Sequence, residues 1–274
     1  MQQALKMSSF LHISDLHISC GLRDTQNENN NPNSNLKMAI NITNRLRPKP
    51  KFVIFSGDLT DNGDLESYEY LKSVISASKI PIILALGNHD NRSNFRKVFY
   101  GSEIDNPYFH ASEYDEFKVI VLDTSKPSKV SGTICENQFI FLQEVLNVSK
   151  NHKVLLVMHH PPSVDEDDLP WTTLDKKSSL ELYSCLKGHD IYGIFCGHIH
   201  LNKFINWNNI PIITSSGLQS TIDPLEKTEL RLLEAASVNL CKLNKGGLNI
   251  TSLQIYPAGR EIRRINKNLL GLMV

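Results

Sequence analysis

The chain has 274 residues, with 29 lysines and arginines against 29 aspartates and glutamates, and 41% hydrophobic residues. This length and composition predict a globular protein, and we expect a single domain over residues 1–274. The balanced charge argues against a nucleic acid polymer as partner, and no apolar run is long enough to span a membrane. Five scattered cysteines without CxxC spacing, and a first stretch without the apolar core of a signal peptide, predict reduced thiols and a cytoplasmic location.

Predicted strands and helices alternate along the first two thirds of the chain, as in an α/β fold. The polar stretch 26–35, dominated by asparagine, is predicted to be a surface loop. Apolar residues at helical spacing predict helices at about 35–46, 64–78, 136–149 and 178–186. Short apolar runs predict strands at about 9–14, 52–55, 82–86, 117–122, 154–158, 191–196, 210–214 and 250–256. We expect the last strand to form a hairpin through Pro257-Ala258-Gly259, in a region, 223–274, that adds strands or a cap to a core at about 9–222.

Five of the predicted strands run directly into residues that can bind a metal ion. These segments are Asp15-Leu16-His17, Gly57-Asp58, Gly87-Asn88-His89-Asp90, His159-His160 and Gly197-His198-Ile199-His200. In an open α/β sheet, ligand sites form at the carboxyl ends of strands. Each motif alone could be a turn or a helix cap. Together they supply carboxylate, amide and imidazole ligands without a thiolate, which favours Mn, Fe or Zn over a structural zinc site built on cysteines.

The order of these motifs resembles that of the calcineurin-like metallophosphoesterases. Their signature is Asp-x-His, Gly-Asp, Gly-Asn-His-Asp/Glu, His and Gly-His-x-His, and all five blocks are present between about residues 9 and 200. The resemblance implies a four-layer α/β/β/α sandwich of two mixed β-sheets flanked by helices. It also implies a dinuclear metal site at the strand ends. Fe and Mn are the expected metal ions, with Zn or Co as alternatives.

The resemblance also assigns roles to individual residues. One metal ion would take Asp15, His17, Asp58 and His200, and the other would take Asp58, Asn88, His159 and His198. Asp58 would bridge them, and two such ions lower the pKa of a bridging water and clamp phosphoryl oxygens. His89 would face the phosphate as a catalytic residue that donates to a phosphoryl oxygen or protonates the leaving alkoxide, and Asp90 could orient its ring. Asn88 and His200 would also lie at the substrate, whereas His160 is expected to pack or to contact substrate.

Neighbouring residues narrow the expected substrate. The segment 59–63 lacks the Val-Asp-Arg-Gly element of protein phosphatases, and the chain lacks the length and basic charge of the nuclease branch. The segments 57–61, 122–124 and 159–162, with Gly132 and Gln138, resemble the class III cyclic-nucleotide phosphodiesterases and their glycerophosphodiesterase relatives. The resemblance thus implies that a metal-bridging hydroxide hydrolyses a small phosphodiester, above all cAMP.

Two other functions stay open, and so does the assembly. A glycerophosphodiesterase or a broad-specificity phosphatase of the same family is the alternative enzyme. A non-catalytic scaffold, such as the retromer subunit with this fold, is disfavoured because such members tend to lose ligands, and every ligand position here is filled. A homodimer is one assembly that the chain could form.

Overall fold

The computed structural model describes residues 8–20, 31–150, 152–226, 228–244 and 247–255. Its helices are α1 Pro32–Arg45, α2 Leu65–Ile75, α3 Arg92–Tyr100, α4 Glu136–Val148 and α5 Lys176–Leu186. Its strands are β1 Ser8–Ile13, β2 Val53–Ser56, β3 Ile82–Ala85, β4 His110–Tyr114, β5 Phe117–Val121, β6 Lys153–Val157, β7 Ile191–Cys196, β8 Lys203–Trp207, β9 Ile210–Thr214, β10 Thr221–Ile222, β11 Leu232–Leu233, β12 Ser237–Asn244 and β13 Gly247–Gln254.

The strands form two large mixed sheets and a short ribbon of β10 and β11. The five-stranded sheet has the order β13-β12-β1-β2-β3, in which β1, β2 and β3 are parallel and β12 is antiparallel to both of its neighbours. The six-stranded sheet has the order β4-β5-β6-β7-β9-β8, in which β5, β6, β7 and β9 are parallel. The parallel strands of each sheet therefore end at a common edge, where α/β folds place their ligand sites.

Three apolar clusters hold these layers together. Between the sheets, the ring of Phe10 stacks on Phe52 and meets Phe117 and Phe195 edge-on. A second cluster joins the five-stranded sheet to α1, α2 and α3, and a third joins the six-stranded sheet to α4 and α5. Fully burying one such side chain stabilises the fold by about 1.5–3 kcal/mol. The order of layers is α/β/β/α, so the predicted sandwich of two mixed sheets flanked by helices is confirmed.

The polar stretch after the first strand differs from its prediction. Helix α1 begins at Pro32, because Asn31 caps it by accepting a hydrogen bond from the Ser34 amide and proline suits the first helical turn. Asn35 is only 2% exposed, and its amide group donates to the carbonyl of Leu218 at 2.9 Å. The prediction of a loop was therefore wrong for 32–34, and at Asn35, where the predicted loop and helix overlapped, the chain is helical. Residues 21–30 lie outside the described residues.

Other differences lie between the predicted elements and near the end of the chain. Helix α3 and strands β4, β8, β10, β11 and β12 were not predicted. Strand β13 pairs with β12, so its observed hairpin partner precedes it in the chain. The predicted hairpin at Pro257-Ala258-Gly259 lies outside the described residues. In the part of the chain that the structure describes, no helix has both the length and the apolar character needed to cross a membrane.

Candidate metal centre

The predicted metal ligands follow the carboxyl ends of β1, β2, β3, β6 and β7, and the fold brings their side chains together. Four overlapping groups form there, and within each group the possible ligand atoms lie within 4.8 Å of one another. The groups are Asp15, His17 and His200; Asp15, Asp58 and His159; His17, Asp58 and His89; and His159, His160 and His198. The site thus spans both sheets, and each sheet supplies imidazoles.

Asp58 occupies the middle of the site. Its Oδ2 lies 3.2 Å from Nε2 of His159 and 3.7 Å from Nε2 of His17. Oδ1 of Asp15 lies 3.4 Å from Nε2 of His200 and 3.9 Å from Nε2 of His159. The Nε2 atoms of His17 and His200 are 3.2 Å apart. Asp58 and Asp15 therefore each face imidazoles from both predicted ligand sets, and Asp58 makes the shorter contact to His159, as a bridging ligand needs.

The backbone at this edge adopts conformations that ordinary residues rarely take. Five of the predicted ligands have φ in the left-handed region, namely Asp15 (50°), His17 (45°), Asp58 (47°), His198 (71°) and His200 (48°). Such residues cost free energy and cluster at functional sites. A Cβ on Gly87 would lie 2.2 Å from Oδ1 of Asp58, and a Cβ on Gly197 would lie 1.8 Å from Oγ of Ser14. Glycine at these two positions allows the close approach. The local sequence is therefore fitted to the site.

Hydrogen bonds on the far side of each ring orient the imidazoles. Nδ1 of His159 donates to the carbonyl of Ser56 at 2.9 Å, and Nε2 of His198 donates to the carbonyl of Trp171 at 2.6 Å. Nδ1 of His200 lies 3.1 Å from the carbonyl of Ser220, and Nδ1 of His17 lies 3.1 Å from Oδ1 of Asp61. These contacts fix the tautomers and leave the opposite nitrogen of each ring available for a metal ion.

Burial and charge set the protonation of the central pair. Burial alone would raise the pKa of Asp58, but the imidazoles of His159 and His17 outweigh it and hold that pKa well below its usual range. Burial alone would lower the pKa of His159, but the Asp58 carboxylate outweighs it and raises that pKa to about 9. Burial and the charge of His159 lower the pKa of His198 to about 4. A metal ion would thus replace one proton held at His159.

One buried atom supports a fit between this donor set and metal ions. Oδ1 of Asn88 is buried and has no hydrogen-bond partner among the described residues. A buried polar atom without a partner costs about 1–3 kcal/mol, and a metal ion would supply the missing contact. Carboxylate, amide and imidazole donors suit Mn, Fe and Zn. The residues present therefore fit two metal ions.

His160 belongs to one of the groups but is tied elsewhere. Its Nδ1 accepts from the hydroxyl of Thr124 at 2.8 Å, and its Nε2 donates to the carbonyl of Val130 at 2.9 Å. Burial and the neighbouring imidazoles hold its pKa well below the ordinary value, so the ring is neutral. Both ring nitrogens are occupied, which agrees with the expectation that His160 packs.

His89 and Asp90 play different parts from each other. The side chain of His89 is 42% exposed, and its Nδ1 donates to the carbonyl of Asp61 at 2.8 Å. Asp90 instead accepts hydrogen bonds from the amides of Gly87, Leu59 and Thr60 and from the hydroxyl of Tyr68. The expectation that Asp90 orients the His89 ring was wrong, because these donors surround its carboxylate. Asp90 fixes the loop that carries Asn88 and His89.

Comparison with known proteins identifies the family. A sequence model of the calcineurin-like phosphoesterases matches residues 8–202. The chain belongs to this family.

Two relatives and one solved structure show what this family member is similar to. The chain is 31% identical over 228 residues to a probable cyclic nucleotide phosphodiesterase of Rhodococcus erythropolis, covering 78% of this chain and 71% of the relative. It is 32% identical over 179 residues to a probable glycerophosphodiester phosphodiesterase of Arcobacter nitrofigilis, covering 63% of this chain and 65% of the relative.

The structural match supports the fold. A dimetal phosphatase from Danio rerio superposes with a TM-score of 0.65 at 15% identity, over 89% of this chain and 95% of that one. In the Arcobacter comparison, by contrast, the chain spans slightly less than two thirds of the relative's length. The family model and this superposition thus agree on a calcineurin-like phosphoesterase fold.

Sequence reasoning missed one residue of this phosphoesterase site. Asp61 contacts the ring of His17 through its carboxylate and the ring of His89 through its carbonyl. The hydrogen bond from His17 lowers the pKa of Asp61 although burial opposes it. The available signal was a second carboxylate three residues after Asp58 in the same loop. Asp61 thus links a predicted ligand to the predicted catalytic histidine.

Proposed function

We propose that this chain is a dinuclear phosphodiesterase that hydrolyses 3′,5′-cyclic nucleotides, with cAMP as its reference substrate. The observation that carries the proposal is the position of Asp58 between imidazoles of both predicted ligand sets. The similarity to a probable cyclic nucleotide phosphodiesterase over 78% of the chain supports this substrate class. Every ligand position of the family signature is filled, which favours an enzyme over a scaffold.

Two sets of side chains would hold the metal ions. Asp15, His17, Asp58 and His200 would form one set, and Asp58, Asn88, His159 and His198 would form the other. Bound metal ions would supply charge neutralisation and a water of lowered pKa. Fe and Mn are the pair that we propose, with Zn or Co as substitutes that the same donors accept.

His89 would act on the substrate itself. Its Nδ1 is held by the carbonyl of Asp61, so Nε2 is the atom left to face a substrate. Its exposed position agrees with contact to a ligand from solvent. In this proposal His89 acts as the imidazolium cation, so Nε2 also carries a proton, which it donates to a phosphoryl oxygen or gives to the leaving alkoxide. Asn88 and His200 would border the same phosphate.

Glycerophosphodiesters are the second candidate substrates. The 32% identity to a probable glycerophosphodiester phosphodiesterase favours them, and a broad-specificity phosphatase would use the same side chains. The cysteines Cys135, Cys185, Cys196 and Cys241 are free thiols, which supports the proposed cytoplasmic location. A homodimer stays a prediction.

A substrate panel tests the proposal. The protein would be stripped of metal with a chelator, reloaded with Mn²⁺, and assayed with cAMP, glycerophosphoglycerol and p-nitrophenyl phosphate. We expect the highest kcat/KM for cAMP and recovery of activity only after metal is restored. Activity on glycerophosphoglycerol alone would show that the substrate is a glycerophosphodiester and not a cyclic nucleotide. Turnover without metal would overturn the proposed chemistry. In the same assay Asp58→Asn should lose activity. Asp115→Asn, which changes an exposed carboxylate between β4 and β5, is its matched control.

A further inference from the structure

A cavity of about 470 Å³ lies beside the candidate metal centre. Several of the residues that line it are direct sequence neighbours of predicted metal ligands. Ile199 stands between His198 and His200, and Pro161 follows the pair His159-His160. Trp171 also lines the cavity, and its carbonyl is the one that accepts from His198. The volume falls in the range of about 300–1,000 Å³ that is usual for small-molecule sites.

Apolar and aromatic side chains make up much of the wall. Pro161, Pro162, Ile199 and Ile222 contribute to it. Trp171 is 40% exposed, an unusual fraction for tryptophan, and Leu169 and Leu230 on the same wall are also exposed. Clustered exposed apolar groups mark interaction sites, and covering them with an apolar ligand is favourable because it removes apolar surface from water. Flat ligand groups suit a wall that carries an exposed indole.

The charges of the cavity select against anions. Among the described residues that line it, four carry carboxylates, namely Asp168, Asp223, Glu226 and Glu229, and one, Lys203, carries an ammonium. Arg231 pairs with Asp223 at 3.0 Å, and the lining stays acidic after this pair is counted. Carboxylates repel a phosphate and accept hydrogen bonds from donors. The cavity therefore suits the uncharged, donor-bearing part of a substrate whose phosphate lies at the metal centre.

We propose that this cavity binds the base of a cyclic nucleotide, and that it favours bases carrying an exocyclic amino group. The ring would stack against Trp171, and the amino group would donate to the rim carboxylates of Glu226 and Glu229. This inference rests on the proposed function, since it names the part of the substrate that the metal centre does not bind. It commits to a planar heteroaromatic ring rather than to glycerol or a second phosphate.

Two matched comparisons of substrates test the inference. cAMP and 3′,5′-cyclic inosine monophosphate differ at C6, where an amino donor becomes a carbonyl acceptor, and at N1, where an acceptor becomes an N–H donor. cAMP and glycerophosphoglycerol differ in the presence of a ring. The values of kcat and KM would be measured for all three substrates in the Mn²⁺-loaded wild type and its variants, with thermal unfolding as the check that each variant folds.

The first variant removes the indole. Stacking of a base on an aromatic side chain is strong enough that Trp171→Ala should reduce kcat/KM for cAMP about tenfold or more beyond any reduction for glycerophosphoglycerol, mainly through KM. Phe204→Ala is the control, because Phe204 is 65% exposed on β8 and lies outside the lining of this cavity, while its neighbours Lys203 and Ile205 line it. Equal losses for both substrates would overturn the placement of the base.

The second variant removes the rim charges and keeps the side-chain shape. The double substitution Glu226→Gln with Glu229→Gln should reduce the preference for cAMP over the inosine analogue by about tenfold, because an amide can donate to the carbonyl of inosine. An unchanged preference would overturn recognition of the amino group. Failure of the wild type to hydrolyse either cyclic nucleotide while it hydrolyses glycerophosphoglycerol would overturn the proposed function, and this inference with it.

Discussion

The metal edge and the neighbouring cavity differ in burial, backbone conformation and charge. At the metal edge Asp15, Asp58 and His159 are buried, and several ligands have strained backbone that their surroundings hold in place. At the cavity the indole of Trp171 and the side chain of Leu230 remain exposed. The buried edge can determine which reaction occurs, because its geometry cannot relax. The exposed wall can determine which substrate is chosen, because substitutions there leave the core intact.

The largest effect should come from the centre of the metal edge. Asp58→Asn removes one charge from the position shared by both ligand sets, so both metal ions should bind more weakly. Stabilisation of the transition state by metal ions is worth several kcal/mol, so we expect a loss in kcat of about 10³-fold or more. Metal content and turnover would be measured together, with Asp115→Asn as control. Activity within about threefold of wild type, with two metal ions still bound, would show that Asp58 is not the ligand shared by the two ions.

His89→Ala should separate chemistry from metal binding. The ring of His89 is held through Asp61, so both metal ions should stay bound while cAMP turnover falls about 10²–10⁴-fold, the usual range for general acid catalysis. bis-(p-Nitrophenyl) phosphate should suffer much less, because p-nitrophenolate leaves without protonation. Equal damage to both substrates would indicate that His89 stabilises charge on the phosphate instead. Loss of metal would show that the ligand assignment around it is wrong.

The metal-free protein should lose stability as the pH rises from 7 to 9.5. The pKa of His159 is raised from 6.5 to about 9, because the Asp58 carboxylate outweighs burial. The contribution of this pair is therefore fully present below about pH 6.5 and is lost as the pH passes about 9. The size of the shift sets a limit of roughly 3 kcal/mol. Thermal unfolding of the chelated protein would show the loss, and His159→Gln should remove it. The same pH slope in both proteins would contradict the assignment.

A smaller effect, on the free energy of unfolding, is expected from a substitution at Asn35 in α1. Asn35→Ala removes the buried donor to the carbonyl of Leu218, and we expect a loss of about 1–3 kcal/mol in the free energy of unfolding. Denaturant unfolding would measure it, with the exposed Asn106→Ala as control. A change as small as that of the control would show that this hydrogen bond contributes little. A truncated variant that is designed to keep this stability should retain Asn31, because the side chain of Asn31 caps α1.

The sequence predicted the metal edge well and the remainder unevenly, for physical reasons. Motifs such as Asp15-Leu16-His17 follow short apolar strands, and strand ends of parallel sheets meet, so the ligands could be placed before the fold was known. Helix α3 was missed because its one fully buried apolar residue, Phe95, is surrounded by polar ones. The cavity was missed because its walls come from distant segments, such as 168–173 and 222–226, that share no periodic pattern.

Electron paramagnetic resonance of the Mn²⁺-loaded protein tests the central claim most directly. If Asp58 bridges two metal ions, titration of the metal-free chain should bind two Mn²⁺ and produce the spectrum of an exchange-coupled pair. The coupled spectrum should appear together with cAMP turnover and should be absent in Asp58→Asn. One bound Mn²⁺ per chain at full activity, or two with uncoupled spectra, would contradict the account.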